Sequence, residues 1–155
     1  MNKLIISQVE TAQRNWSEYI LQIGNAYRKN EDFQEVTNSM LKELYKFSDD
    51  GIIFKPTLAN EINFRFQLDE VRSYFLGNNK DFPEDKGFAI KEWTRIYFHN
   101  NKIKQVGKLI ISVGLYYFVD QNDSELEVEY TFIYEKIENE GLKIILHHSS
   151  IPFSG

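Results

Sequence analysis

His147 and His148 are the residues of this 155-residue chain whose type and spacing come closest to chemistry. They stand in the run His147-His148-Ser149-Ser150, after an apolar segment that begins at Leu142. An imidazole can take or give a proton near neutral pH, so one of the pair is a candidate general base or ligand hydrogen-bonder. Neighbouring side chains on a strand point to opposite faces. The two therefore cannot grip one metal ion together, no metal site is expected, and at most one of them faces an interior. The alternative is a histidine held by backbone or hydroxyl groups beside Ser149 and Ser150 in a corner of a sheet. His99, the third histidine, has no companion and is expected at the surface.

Lys55 precedes Pro56 at the end of a short apolar run. With a normal pKa of about 10.4 it is protonated at neutral pH and serves as a base only if strongly desolvated; a solvated charge at a rim is the plainer use. Arg72, Arg65 and Arg95 could hold an acidic ligand through a bidentate contact, or pair with some of the 23 acidic side chains. Trp93, Tyr130, Phe132 and Tyr134, with Tyr116 and Phe118, could stack on a ligand or simply pack. The candidate ligand-binding set is thus Lys55, Arg72, Trp93, Tyr130, Phe132, Tyr134, His147 and His148, with His147 and His148 the catalytic candidates. Glu127, Glu129 and Glu135 share one strand face and are expected in solvent. There is no P-loop, dinucleotide fingerprint, Ser-His-Asp order or His-x-x-x-His spacing, and no cysteine. No cofactor is expected.

The elements that must position these residues read as follows. Trp16, Ile20, Ile23 and Tyr27 form one stripe of an amphipathic helix over about 8–29. Asp32 and Glu35 suggest a cap for a second helix carrying Phe33, Val36, Met40, Leu41, Leu44 and Phe47. Ser48-Asp49-Asp50-Gly51 marks a turn, and Ile52-Ile53-Phe54 a short strand. Asp69 is placed to cap a third helix that stops at Gly77, and 78–87 reads as loop. Strands follow over 89–100 and 104–120, with Asn100-Asn101 as the turn between them. A strand from Leu126 to Tyr134 alternates apolar even positions with polar odd ones, Ile133 excepted. The turn Glu138–Gly141 then leads into the segment 142–152.

Both faces of 104–120 are apolar: Leu109, Ile111, Val113, Leu115, Tyr117 and Val119 on one, Ile110, Tyr116 and Phe118 on the other. Helices cover one side of such a sheet. The other is expected to pair two copies of the chain, a dimer at least. Gly107 and Gly114 are placed to bend the sheet. A net charge of −5 and the absence of basic clusters argue against nucleic acid and anionic membrane as partners. No apolar run approaches the roughly 20 residues of a spanning helix, and the apolar start of Met1–Gln8 is too short for a signal peptide. A cytoplasmic protein with one domain over 1–155 is the expectation.

Four segments add a family resemblance: Phe54-Lys55-Pro56-Thr57, Val71-Arg72-Ser73-Tyr74-Phe75, Tyr130-Thr131-Phe132-Ile133-Tyr134 and His147-His148-Ser149-Ser150-Ile151-Pro152. Together with the element order they resemble the nuclear transport factor 2-like superfamily, in particular SnoaL-like proteins similar to the calcium/calmodulin-dependent protein kinase II association domain, over about residues 10–153. The resemblance implies an α+β fold, a cone-shaped curved antiparallel sheet packed against N-terminal helices (a cystatin-like α+β roll), with an unknown small molecule in the cone and subunits paired through their sheets. Two departures stand out. The strand arginine of the association-domain pocket, in the segment matching Glu129 to Ile133, is absent here, with Glu129 nearby, and Lys55 occupies the slot of the catalytic aspartate of ketosteroid isomerases. The resulting expectation is a small-molecule-binding, self-associating domain. The alternatives are a small SnoaL-like isomerase, cyclase or dehydratase with a pocket histidine as acid/base and a tyrosine hydroxyl as electrophile, or an interaction adaptor without pocket chemistry.

Overall fold

In the computed structural model the described residues are 2–48 and 50–155. The turn expected at Ser48–Gly51 includes Asp49, which lies outside them. Helix α1 (Lys3–Arg28) starts earlier than its apolar stripe suggested, because the Asn2 side chain caps it by accepting from the Leu4 N–H. It buries Ile5, Val9, Trp16, Ile20 and Ile23, while Tyr27 is 44% exposed and packs edge-on against Phe33 instead of joining the core. Helix α2 (Phe33–Leu44) is capped by Asp32, which accepts from the Glu35 N–H. It ends before Phe47, since Tyr45 turns to extended backbone and bridges Ile144 of the sheet. Helix α3 (Leu68–Leu76) begins one residue before Asp69. Its cap is Gln67, whose N–H is accepted at 2.9 Å by the Glu70 carboxylate, and Gly77 ends it at a positive φ of 70°.

The sheet has the order β1-β5-β4-β3-β2, with β1 (Ile53–Lys55), β2 (Trp93–Val106), β3 (Leu109–Asp120), β4 (Glu125–Ile137) and β5 (Gly141–Ser150). Strands β2 to β5 run antiparallel, and short β1 lies parallel to β5 at one edge. A 3₁₀ turn over Phe88–Ile90 displaces the start of β2 from Ala89 to Trp93. The turn expected at Asn100-Asn101 is a bulge inside β2, and the chain reverses at Gly107 instead. The physical reason is tertiary: the Asn100 amide is pulled inward by Gln13 of α1, through hydrogen bonds of 2.7 and 3.0 Å. Gly114 faces that bulge, where a Cβ would sit 2.2 Å from the His99 carbonyl oxygen. Bulges of this kind bend and twist a sheet.

Alternation along β3 sends Ile110, Ser112, Tyr116 and Phe118 into the core, against Trp16 and the rest of the α1 stripe. Leu109, Ile111, Val113, Leu115 and Tyr117 stay half-buried on the outer face. The architecture is therefore the expected α+β one, a curved antiparallel sheet with its helices on one side. No helix among the described residues is long and apolar enough to cross a membrane.

Candidate functional site

Register decides which histidine faces inward. Position 147 of β5 lies between Phe54 of β1 and Phe132 of β4, two fully buried rings. Strand alternation then sends His147 and Ser149 into the core and His148 outward, beside its register partner Lys55. The imidazole of His147 packs against Phe132 with ring centres 4.3 Å apart. Its Nδ1 is 2.9 Å from the Tyr45 hydroxyl and its Nε2 is 3.0 Å from the Tyr116 hydroxyl. Tyr116 is hydrogen-bonded in turn to the Ser149 hydroxyl, and Trp16 donates its indole N–H to Tyr45 at 3.0 Å. Four elements thus contribute to one continuous row: Trp16 from α1, Tyr45 from the end of α2, Tyr116 from β3, and His147 and Ser149 from β5.

The Ser149 end of this row opens on a small cavity. Thr57 and Tyr74 supply its other hydroxyls, and Phe54, Phe75 and Phe88 its apolar wall. Thr57 lies just past the end of β1, beyond Pro56, and lines the cavity beside Tyr74 and Tyr116. Tyr74 is fixed by the Leu58 N–H, which donates to its hydroxyl at 3.1 Å. The centre of a water-sized sphere has about 10 Å³ of room there, close to what one water molecule requires.

Burial controls the charge of every titratable group in the row. It holds the His147 imidazole well below its usual range, with the neighbouring His148 as a smaller cause. It pushes the Tyr45, Tyr74 and Tyr116 phenols upward. Imidazole and phenols alike are neutral at pH 7. What the site offers a ligand is a set of neutral hydroxyl dipoles facing an apolar wall.

The expected residues are dispersed. Phe132 touches His147. Trp93 is core, its indole N–H donated to the Phe88 carbonyl. Tyr130 belongs to a separate buried network with Gln13, Asn100 and Ser112. Tyr134 is buried in the core. Arg72 bonds the Asn38 amide at the surface. Lys55 donates to the Ser149 carbonyl at 2.7 Å, tying β1 to the end of β5, and partial burial lowers its ammonium pKa. Arg65 pairs with a buried acid: it is fully enclosed and holds Asp85 through bonds of 2.6 and 2.7 Å. Trp16, Tyr45, Thr57 and Tyr74 were not singled out as site residues from the sequence. In the sequence Tyr116 reads as a stacking or packing ring and Ser149 as a neighbour of the histidines. Among the described residues no three His, Cys, Asp or Glu side chains are grouped so as to hold a metal ion.

A family model described as MICAH, metal-independent carbonic anhydrase, matches residues 7–151. A Nostoc sp. (strain PCC 7120) protein described as a metal-independent carbonic anhydrase is 31% identical over 150 residues, which span 95% of this chain and 73% of that protein. Among solved structures, a cyanobacterial iota-carbonic anhydrase complexed with bicarbonate superposes with a TM-score of 0.91 at 28% identity, covering 100% of this chain and 94% of that one. A Xanthomonas campestris protein described as a calcium/calmodulin-dependent protein kinase II association domain matches at a TM-score of 0.56 and 23% identity, over 92% of this chain and 84% of that one. A Streptomyces avermitilis protein of the NTF2-like family matches at 0.58 and 12%, over 97% and 98%. These last two show the nuclear transport factor 2-like fold alone.

Proposed function

The chain belongs to the metal-independent carbonic anhydrase family, and on that premise we propose that it interconverts carbon dioxide and bicarbonate in the cavity beside His147. The observation that carries this reading is the row His147–Tyr116–Ser149 ending at a small cavity walled by Phe54, Phe75 and Phe88. Carbon dioxide is a small apolar molecule that becomes polar as it reacts. Phe54, Phe75 and Phe88 suit the substrate, and the hydroxyls of Ser149, Thr57 and Tyr74 suit the carboxylate oxygens of the product. Of the readings drawn from the sequence, the enzyme alternative comes nearest in its tyrosine electrophile, although isomerase, cyclase and dehydratase chemistry did not include this reaction.

A mechanism that keeps every buried group neutral fits the electrostatics best. A water oxygen bonds to the carbon of carbon dioxide. One water proton passes to the Ser149 oxygen as the Ser149 proton moves onto an oxygen of the substrate, so that carbonic acid forms and loses its proton on reaching solvent. Tyr116, donating to Ser149 and backed by His147, strengthens the hydroxyl that gives up its proton. Donors already in place where charge develops stabilise a transition state without reorganisation. His147 then acts without becoming charged, in agreement with the direction of its shift.

Stopped-flow hydration of carbon dioxide, followed with a pH indicator, tests the reading. The parent is expected to accelerate hydration, and Ser149→Ala to lose on the order of a hundredfold in kcat, the usual effect of removing one such donor. The rate constant should stay flat through neutral pH, where an unshifted imidazole base would titrate at about 6.5. Absence of acceleration by the parent contradicts the activity; an inflection near that value contradicts the neutral mechanism.

A further inference from the structure

We propose that Tyr45, seated on Trp16 behind His147, is a positioning residue that holds the imidazole as its Nε2–H tautomer and so aims the row of hydrogen bonds at the cavity. Each donor in the row is buried and needs an acceptor. The Trp16 indole N–H can only donate, and it donates to the Tyr45 oxygen. The Tyr45 proton then has one acceptor within reach among the described residues, the Nδ1 of His147 at 2.9 Å. Nδ1 must therefore be bare and Nε2 must carry the ring proton. That proton goes to the Tyr116 oxygen at 3.0 Å, and the Tyr116 hydroxyl donates onward to Ser149. The Ser149 proton is left pointing at the cavity. In the opposite tautomer the Tyr45 oxygen receives two N–H groups while its own proton is stranded in the core, and the Tyr116 proton turns back toward His147, away from Ser149.

Two features make the arrangement specific. Tyr45 is the residue at which α2 ends and the chain turns to bridge Ile144 of β5, so the same bend that terminates the helix delivers its hydroxyl to a neighbouring part of the strand that carries His147. Its ring also lies nearly parallel to the imidazole, at 26°, which fixes the approach of the hydroxyl. The tautomer follows from the geometry alone; its consequence for catalysis rests on the carbon dioxide reading above.

The test is nuclear magnetic resonance of the whole chain with isotope-enriched histidine, correlating ring nitrogens with ring protons, the His147 signals being assigned by their loss in His147→Gln. The expected parent spectrum has a protonated Nε2 and a bare Nδ1. In Tyr45→Phe the two nitrogen resonances should converge as the tautomers mix. The kcat for hydration should fall by on the order of a hundredfold with little change in KM, a smaller loss than the ~10⁴ seen when a triad imidazole is held in the wrong tautomer. A parent carrying the proton on Nδ1, or a Tyr45→Phe chain that keeps the Nε2–H signature, overturns the proposal. The parent spectrum decides the tautomer even where the variant does not fold. A parent with the expected tautomer and no hydration activity overturns the functional reading and leaves the Tyr45 lock in place.

Discussion

A buried imidazole that stays neutral leaves a mark on stability as well as on chemistry. His147 has a folded-state pKa well below its unfolded value, chiefly through desolvation. Below about pH 6.5 the unfolded chain therefore binds a proton that the folded chain refuses, and stability is lost as the pH falls; above that value the contribution is fully present. His148 is shifted in the same direction and adds a second contribution of the same sign. Urea denaturation at a series of pH values should give a visibly shallower acid limb for His147→Gln than for the parent, and parallel limbs would speak against the buried neutral histidine. The histidine pair was legible in the sequence, and so was the rule that only one of the two faces inward. Which one does was not, because alternation fixes opposite faces and leaves the choice to the register of β5 against Phe54 and Phe132. Tyr45 carried no signal at all: it lies 102 positions from His147 in the chain, in a stretch whose periodicity reads as the tail of a helix.

The loop elements are held to the site by charge. Arg65 and Asp85 are both fully buried, Ser73 of α3 donates to the same carboxylate, and the guanidinium lies 4.6 Å from the Phe82 ring centre. Glu84 accepts from the backbone N–H groups of Asn60, Glu61 and Ile62. These contacts clamp the loop over 78–87 onto the segment over 57–66, which brings Thr57 and Tyr74 together. Asp85→Ala leaves the enclosed Arg65 charge with the Glu84 carboxylate at 3.8 Å as its remaining acid, and removing one partner of a buried pair costs about 3–5 kcal/mol. Chemical denaturation should read that loss; a change below about 1 kcal/mol would mean the pair is solvated in solution. The order of helices and strands was readable from periodicity and turn residues. The Arg65–Asp85 clamp was not, since one partner stood among many possible surface ion pairs and the other in a loop. The β2 bulge is hidden in the sequence for a related reason: Asn-Asn is good turn chemistry, and the Gln13 that bonds Asn100 stands 87 positions away in the chain.

At the scale of the whole molecule, the outer face of the sheet remains half-covered. Leu109, Ile111, Val113 and Leu115 lie on it, and Tyr97 and Tyr117 stack there with ring centres 4.7 Å apart. We infer that a second copy pairs with this face, as a specific interface of about 800 Å² per partner would allow. Tyr116 is now placed in the core and Tyr117 outside it, so Tyr117→Lys should lower the mass seen by light scattering, whereas Tyr116→Lys should unfold the chain. A parent of 18.4 kDa in solution at micromolar concentration would remove the dimer. Carbon dioxide hydration by neutral hydroxyls around His147 can be read from the exchange of labelled oxygen between carbon dioxide and water, followed by mass spectrometry on protein kept in a strong chelator. Exchange is expected well above the uncatalysed rate in the chelator, collapsing toward that rate in Ser149→Ala. Exchange at the uncatalysed rate, or catalysis that vanishes with the chelator and returns with an added metal ion, would contradict this mechanism.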